Sequence, residues 1–264
     1  MKEVKKIKLF YNNNEKSINI KNILIEKLDG IFEIVDSEFD LGVAIGGDGA
    51  FLRMMKSTNF DSNPYYIGVN AGTLGFAQEI NIEEIDEFID DLKNSNFKVE
   101  NIGIQENKIV CDDVYEFYSI NEIVVREKEL NTAILNIDID NVFLEEFVGD
   151  GVLVSTSFGS TAYNLSFGGS LVYNTFHTLQ ITPIAPLNNR SYRSLLNSII
   201  IPENKIIKIV PREDKNNLVV TIDGENNFFD NVKYIETVVN KKRVKLLRRL
   251  DYDFAKKVNE KFLK

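Results

Sequence analysis

The stretch LGVAIGGDGAFLRMMK, residues 41–56, decides the fold. Leu41–Ile45 is short and uninterruptedly apolar, which suits a central parallel strand buried on both faces. Gly46, Gly47 and Gly49 surround Asp48 directly after it, and Ala50–Lys56 then reads as a helix. Glycines at a strand-to-helix turn let backbone N–H groups approach an anion closely. The helix start adds a partial positive charge. A carboxylate repels phosphate, so Asp48 makes sense there as acceptor of a proton from an attacking hydroxyl, or as a partner of a divalent cation. Taken alone, GGDG reads equally as a glycine-rich turn with a capping Asp.

Working outward, the same alternation continues on both sides. Ile7–Tyr11 reads as a buried strand, followed by a helix with Ser17 as its cap. Its apolar face is Ile20, Leu24 and Leu28, and Gly30 ends it. Tyr65–Val69 is a further apolar run, ending in the glycine-containing loop NAGTLGF, residues 70–76. Asn81 and Glu84 form a capping-box pattern before a helix with Ile82, Ile85, Ile89 and Leu92 on one face. Residues 1–100 therefore read as an α/β domain. If so, two glycine-rich loops leave the carboxyl ends of parallel strands, the edge where open α/β sheets bind ligands. Phe76 stands there as an exposed aromatic wall or as a core residue.

Beyond Phe97 the pattern changes. Val114–Ile120, Ala133–Ile139, Ile199–Ile201, Lys205–Val210, Leu218–Ile222, Val232–Val239 and Arg243–Leu247 are short strand-like runs. Asp140-Asn141 and Asp223-Gly224 read as tight turns. Residues 101–250 thus form a mostly β, sandwich-like domain. Helical spacing returns at Phe254, Val258 and Phe262, and this terminal helix (251–264) is expected to pack back on the first domain.

Composition narrows the chemistry. The 264 residues carry a net charge of −9, with one His, one Cys and no Trp. One His and one Cys cannot build a zinc site, a disulfide framework or an iron–sulfur cluster. The acidic balance argues against nucleic acid and anionic membranes as partners. No run approaches the roughly 20 apolar residues of a bilayer span. With no secretory signal and a single thiol, a cytoplasmic location is expected. His177 reads as a structural residue, Cys111 as inert, and the basic cluster Lys241–Arg249 as a solvated strand boundary.

From Gly151 to Asn189 there is no charged side chain, in a chain that is 27% charged. This window reads equally as a surface desolvated on binding and as core. It contains the segment DGVLVSTSFGSTAYNLSFGGS (150–170), a strand, a hydroxyl-rich loop and a helix opening near Ser160–Asn164.

Together GGDG (46–49), NAGTLGF (70–76), NE (121–122), the 150–170 segment, TPIAP (182–186) and DG (223–224) resemble the NAD kinase family, in order and spacing. The resemblance implies an α/β domain, a β-sandwich-like domain and a crevice between them, in homo-oligomers that are commonly tetramers. It implies transfer of the γ-phosphate of ATP, another NTP or polyphosphate to the adenosine ribose 2′-hydroxyl of NAD, with Mg²⁺ on the donor. By the same resemblance Asp48 is the base, and Gly46, Gly47 and Gly49 offer amides to phosphate. Asn121 and Glu122 hold adenosine and ribose. Asp150, Thr161, Ala162, Tyr163, Asn164 and Ser166 line the dinucleotide site, with Phe76 as a wall and Ala185 near a subunit interface. Arg53 fits the family's basic residue after GGDG. The chain departs from the family pattern at Ala50, Val148, Ser157 and Phe158. A non-catalytic NAD(P)-binding sensor and a lipid or sugar kinase sharing GGDG are the alternatives.

Overall fold

The computed structural model describes residues 3–72, 75–129 and 131–264. The chain runs β1 (Lys6–Tyr11), α1 (Glu15–Leu28), β2 (Glu33–Ile34), β3 (Leu41–Gly46), α2 (Asp48–Ser57), β4 (Tyr65–Asn70) and α3 (Ile85–Asn94). There follow β5 (Phe97–Val110), β6 (Val114–Ser119), β7 (Glu122–Glu127), β8 (Ala133–Ile139), β9 (Val142–Gly149), β10 (Gly151–Thr156) and α4 (Tyr163–Ser166). The last elements are β11 (Thr178–Ile184), β12 (Ile199–Pro202), β13 (Ile207–Pro211), β14 (Leu218–Ile222), β15 (Glu225–Phe229), β16 (Tyr234–Arg249) and α5 (Phe254–Phe262). They form two compact units, Met1–Ile102 with Arg243–Lys264, and Gly103–Lys242.

The first unit is a parallel sheet in the order β2-β1-β3-β4-β16. Every residue of β3 is buried, as its apolar run requires. Its glycine earns its place by crowding: a Cβ on Gly46 would stand 2.6 Å from the Ala50 Cβ. α1 buries Ile20, Leu24 and Leu28. Its cap is Asn14, whose side chain accepts the Ser17 N–H at 2.9 Å, so Ser17 is inside the first turn rather than the cap. α3 buries Ile85, Phe88, Ile89 and Leu92. Ile82 falls in a preceding 3-10 turn and is exposed, and Phe88 takes its place on the buried face. The Asn81 N–H donates to the Glu84 carboxylate at 2.7 Å.

The second unit has the antiparallel set β12-β11-β10-β7-β14-β15. Its other pairings are β8 with β9 and β13, β13 with residues 235–237 of β16, and β5 with β6. Both expected turns are two-residue hairpin turns with positive φ at each position: 50° and 64° at Asp140 and Asn141, 45° and 85° at Asp223 and Gly224. Val232–Val239 and Arg243–Leu247, expected as separate strands, are one strand, β16. The helix expected to open near Ser160–Asn164 is only a 3-10 turn (Phe158–Thr161) and the four-residue α4. Among the described residues no helix is long and apolar enough to cross a membrane.

Candidate active site

In the first unit, the loops after β1, β3 and β4 leave the same edge of three adjacent parallel strands. Asp48 is the first residue of α2, and Gly47 caps that helix without a side-chain hydrogen bond. The Asp48 carboxylate accepts the Phe76 N–H at 3.1 Å, the Ala77 N–H at 2.9 Å and the Lys261 ammonium at 3.0 Å. The loop after β4 must pass close for this, and a Cβ on Gly75 would meet Asp48 Oδ1 at 2.2 Å. Thr73 and Leu74 of the 70–76 motif lie outside the described residues. The Asp48 side chain remains 36% exposed, so the anchored carboxylate is still open to a ligand. Arg53 is exposed on α2 and donates to Asn12 Oδ1 at 2.5 Å, tying the GGDG helix to the loop after β1.

Phe76 is not an exposed wall. Its side chain is 6% exposed and packs against Phe254 and Phe262 of α5, at centroid distances of 6.0 and 5.4 Å. Its backbone N–H, not its ring, reaches Asp48. The same docking brings Lys261 to Asp48 and places its ammonium 5.0 Å from the Phe76 ring centre. The basic cluster is likewise not all solvated. Arg248 is 1% exposed, paired with Glu79 at 3.0 Å and Glu100 at 2.8 Å, and donates to the Phe76 carbonyl at 3.0 Å. It thus braces the loop that holds Asp48.

In the second unit, Asn121 and Glu122 are fixed by the late Asp-Gly motif. The buried Asp223 carboxylate accepts N–H groups from Ile120, Asn121 and Glu122 at 2.9, 2.9 and 3.2 Å. Burial pushes Asp223 up to about 6 despite those three donors. Glu122 is 5% exposed, and burial followed by the nearby Asp223 charge pushes it up to about 8, opposed by a hydrogen bond from the Tyr163 backbone. The 3-10 turn packs tightly on this pair: a Cβ on Gly159 would stand 2.1 Å from the Asn121 carbonyl oxygen. The NE, 150–170 and DG motifs are therefore one hydrogen-bonded assembly.

Of the other expected dinucleotide contacts, Asp150, Tyr163, Ser166 and Ala185 are exposed, Ala162 is half-buried and Thr161 is 9% exposed. Asn164 is the exception. It is fully buried, its amide donating to Gln180 at 2.8 Å and its oxygen accepting from Thr182 at 2.6 Å, so it is scaffold and does not line a surface. Much of the charge-free window is this interior polar network. Arg126 was not legible in the sequence: it donates to the Tyr163 hydroxyl at 3.0 Å, with its guanidinium 5.7 Å from the Tyr163 and Phe167 ring centres.

The departures from the family pattern are accommodated. Ser157 donates to the Phe176 carbonyl and accepts the Thr178 N–H at 3.3 Å, pinning a loop that lacks a Pro. Phe158, Val148 and Ala50 are buried. His177 is an exposed loop residue with Nδ1 3.7 Å from Glu203. Cys111 is buried, and burial and then Asp112 raise its thiol.

Comparisons agree with this geometry. Residues 3–97 match the ATP-NAD kinase N-terminal domain and residues 120–248 the ATP-NAD kinase C-terminal domain. The chain is 38% identical to the NAD kinase of Finegoldia magna over 97% of each protein. It is 35% identical to NAD kinase 2 of Halalkalibacterium halodurans over 84% of this chain and 83% of the relative. The yeast NADH kinase complexed with NADH shares the fold, with a TM-score of 0.83 at 18% identity over 98% of this chain and 88% of that one. So does the Archaeoglobus fulgidus NAD kinase in complex with ATP, with a TM-score of 0.75 at 19% identity over 97% and 99%. With two family domains in register and a relative matched along nearly its whole length, the chain belongs to the NAD kinase family.

Proposed function

We propose that this chain phosphorylates the adenosine ribose 2′-hydroxyl of NAD, using ATP as donor and Asp48 as general base. The observation that carries the base assignment is the Asp48 carboxylate itself, held by two backbone amides and Lys261 yet 36% exposed at a helix start that no side chain caps. Asp48 takes the hydroxyl proton as the 2′-oxygen forms its bond to the γ-phosphorus. The bond from that phosphorus to the β,γ-bridging oxygen breaks, and ADP leaves with the electron pair. Gly46, Gly47 and Gly49 offer amides to the donor phosphates. Asn121, Glu122, Thr161, Ala162, Tyr163 and Ser166 hold the dinucleotide, with Asp150, Arg53 and Ala185 as further contacts.

Among the described residues no cluster of three or more acidic, His or Cys side chains forms a metal cage. Mg²⁺ is carried largely by substrate phosphates and needs only one or two carboxylates. Asp48 is the carboxylate that would reach it, and the ion would offset charge on the donor phosphates. A cytoplasmic homo-oligomer, commonly a tetramer in this family, completes the reading. Exposed apolar side chains on strands at the ends of the second unit's pairings support it, with Val142 and Phe143 on β9 and Phe228 on β15 between 62% and 70% exposed. The test is incubation of the pure protein with NAD, ATP and Mg²⁺ and an assay for NADP. NADP formation is expected; none with ATP, other NTPs or polyphosphate overturns the reading.

A further inference from the structure

Tyr163, one of the proposed dinucleotide contacts, opens a helix too short to hold it. α4 has four residues and no side-chain cap, and Ala162 before it is not helical. Tyr163 is also 41% exposed. A tyrosine in that setting has several rotamers open to it, and each turn of the ring changes the wall a ligand meets. We propose that Arg126 is a positioning residue: it fixes the Tyr163 ring as one wall of the dinucleotide site and thereby sets the affinity for NAD.

The anchoring comes from one face of β7. Side chains two apart on a strand share a face. Glu122, Val124 and Arg126 therefore point one way, and Ile123 and Val125 point the other way into the main core. Glu122 accepts a hydrogen bond from the Tyr163 backbone. Val124 forms a small apolar cluster with Leu153 and Ile184, and Phe167 packs against it. Arg126 donates to the Tyr163 hydroxyl at 3.0 Å. The strand thus holds Tyr163 at both ends, backbone and hydroxyl, and supports Phe167 from the residue between.

Arginine suits this task by its shape. The Tyr163 and Phe167 rings form an edge-to-face pair, 4.7 Å apart at 76°. The guanidinium stands 5.7 Å from each ring centre, within cation–π reach of both. A planar guanidinium can hydrogen-bond and lie against rings at once, which a compact ammonium does less well. Its stem has a fixed path too. Arg126 is paired with Gly151 across β7 and β10, and a Cβ on Gly151 would stand 2.7 Å from the Arg126 Cγ. The glycine of Asp150-Gly151 therefore leaves room for the arginine. Among the described residues the guanidinium has no other hydrogen-bond partner and no ion pair, so its contacts converge on the two aromatic residues of this wall.

The proposal rests on reading Tyr163 as a dinucleotide contact. The experiment measures NAD affinity by calorimetry and steady-state NADP formation, with thermal unfolding, for five proteins. They are the wild type, Arg126→Met, Arg126→Lys, Tyr163→Ala and the double variant with Arg126→Met and Tyr163→Ala. Arg126→Met is expected to weaken NAD about tenfold and to raise KM for NAD by the same factor. Its kcat and its KM for ATP are expected to stay within about twofold of wild type. Arg126→Lys keeps a donor for the hydroxyl and is expected to recover part of the loss. In the Tyr163→Ala background, Arg126→Met is expected to cost nothing further. A tenfold loss that persists in that background overturns the proposal, because Arg126 would then touch the ligand itself. Wild-type NAD affinity in Arg126→Met also overturns it. So does a loss of NAD affinity and kcat together that tracks a lower melting temperature, the mark of a merely structural arginine. Coupled NAD binding in a protein that makes no NADP keeps the proposal and removes the kinase reading. NADP formation with uncoupled variants does the reverse.

Discussion

Asp48 and Glu122 are both carboxylates at a strand–loop junction, and their surroundings are opposite. Asp48 accepts three hydrogen bonds, one from an ammonium, and is about a third exposed. Glu122 is 5% exposed, faces the buried Asp223, and has one carboxylate oxygen without a partner among the described residues. Two backbone amides and an ammonium meet the Asp48 carboxylate, the geometry on which its proposed role as proton acceptor rests. Burial around Glu122 favours the protonated acid at neutral pH, which both donates and accepts hydrogen bonds. In the function proposed above, the first carboxylate is the base and the second a reader of hydroxyls and amides. Both use the same functional group, separated by how many donors reach it.

The comparison breaks first at Asp48. Asp48→Asn keeps the shape and, through its single oxygen, one of the two backbone amide contacts, but removes the proton acceptor. It is expected to lower kcat by roughly 10²–10⁴-fold with NAD affinity retained. Steady-state NADP formation with a parallel NAD titration checks this, and a wild-type kcat removes Asp48 from the base role.

Lys261 comes next in size. Among the described residues its ammonium is the one charged donor on Asp48, and its expected role is to orient the carboxylate. Lys261→Met is expected to reduce kcat by about tenfold with KM for NAD unchanged, and Lys261→Arg to restore most of the loss. A purely structural lysine would show itself as lower thermal stability with no kcat effect in the folded protein.

How much of this was legible follows the chemistry of each position. β3 and GGDG were readable because an apolar run ending in glycines has few other uses. The two hairpin turns were readable because Asp-Asn and Asp-Gly tolerate positive φ. β5 was not. Its inner face carries Gln105 and Asn107, which satisfy each other's neighbours in a buried ladder: Gln105 donates to Thr237 at 2.7 Å, Thr237 to Asn107 at 2.8 Å, and Asn107 to Ser119 at 2.9 Å. Polar residues facing inward erase the alternation that marks a strand. Phe76 was ambiguous for a different reason. Its burial depends on Phe254 and Phe262, far along the chain, and the helical spacing there gave no sign of which surface they meet. Lys261 was invisible on the same ground, and Asp223 announced a turn but not the three amides it holds.

The finest test of the comparison is the pH dependence of stability. Glu122 is raised from 4.5 to about 8 in the folded chain. Between those values the native state holds a proton that the unfolded chain has released. Stability therefore falls as pH rises through this window, and the loss is complete only above about 8. Asp223 acts in the same direction over a lower window, from 3.8 to about 6. Glu122→Gln removes the first contribution and keeps a polar group of the same size. Denaturant unfolding at pH about 5 to about 8 is expected to show the variant gaining on the wild type as pH rises. Parallel stability curves would mean that Glu122 is ionised in the fold at neutral pH. The contrast with Asp48 would then lie in exposure and in the number of donors alone.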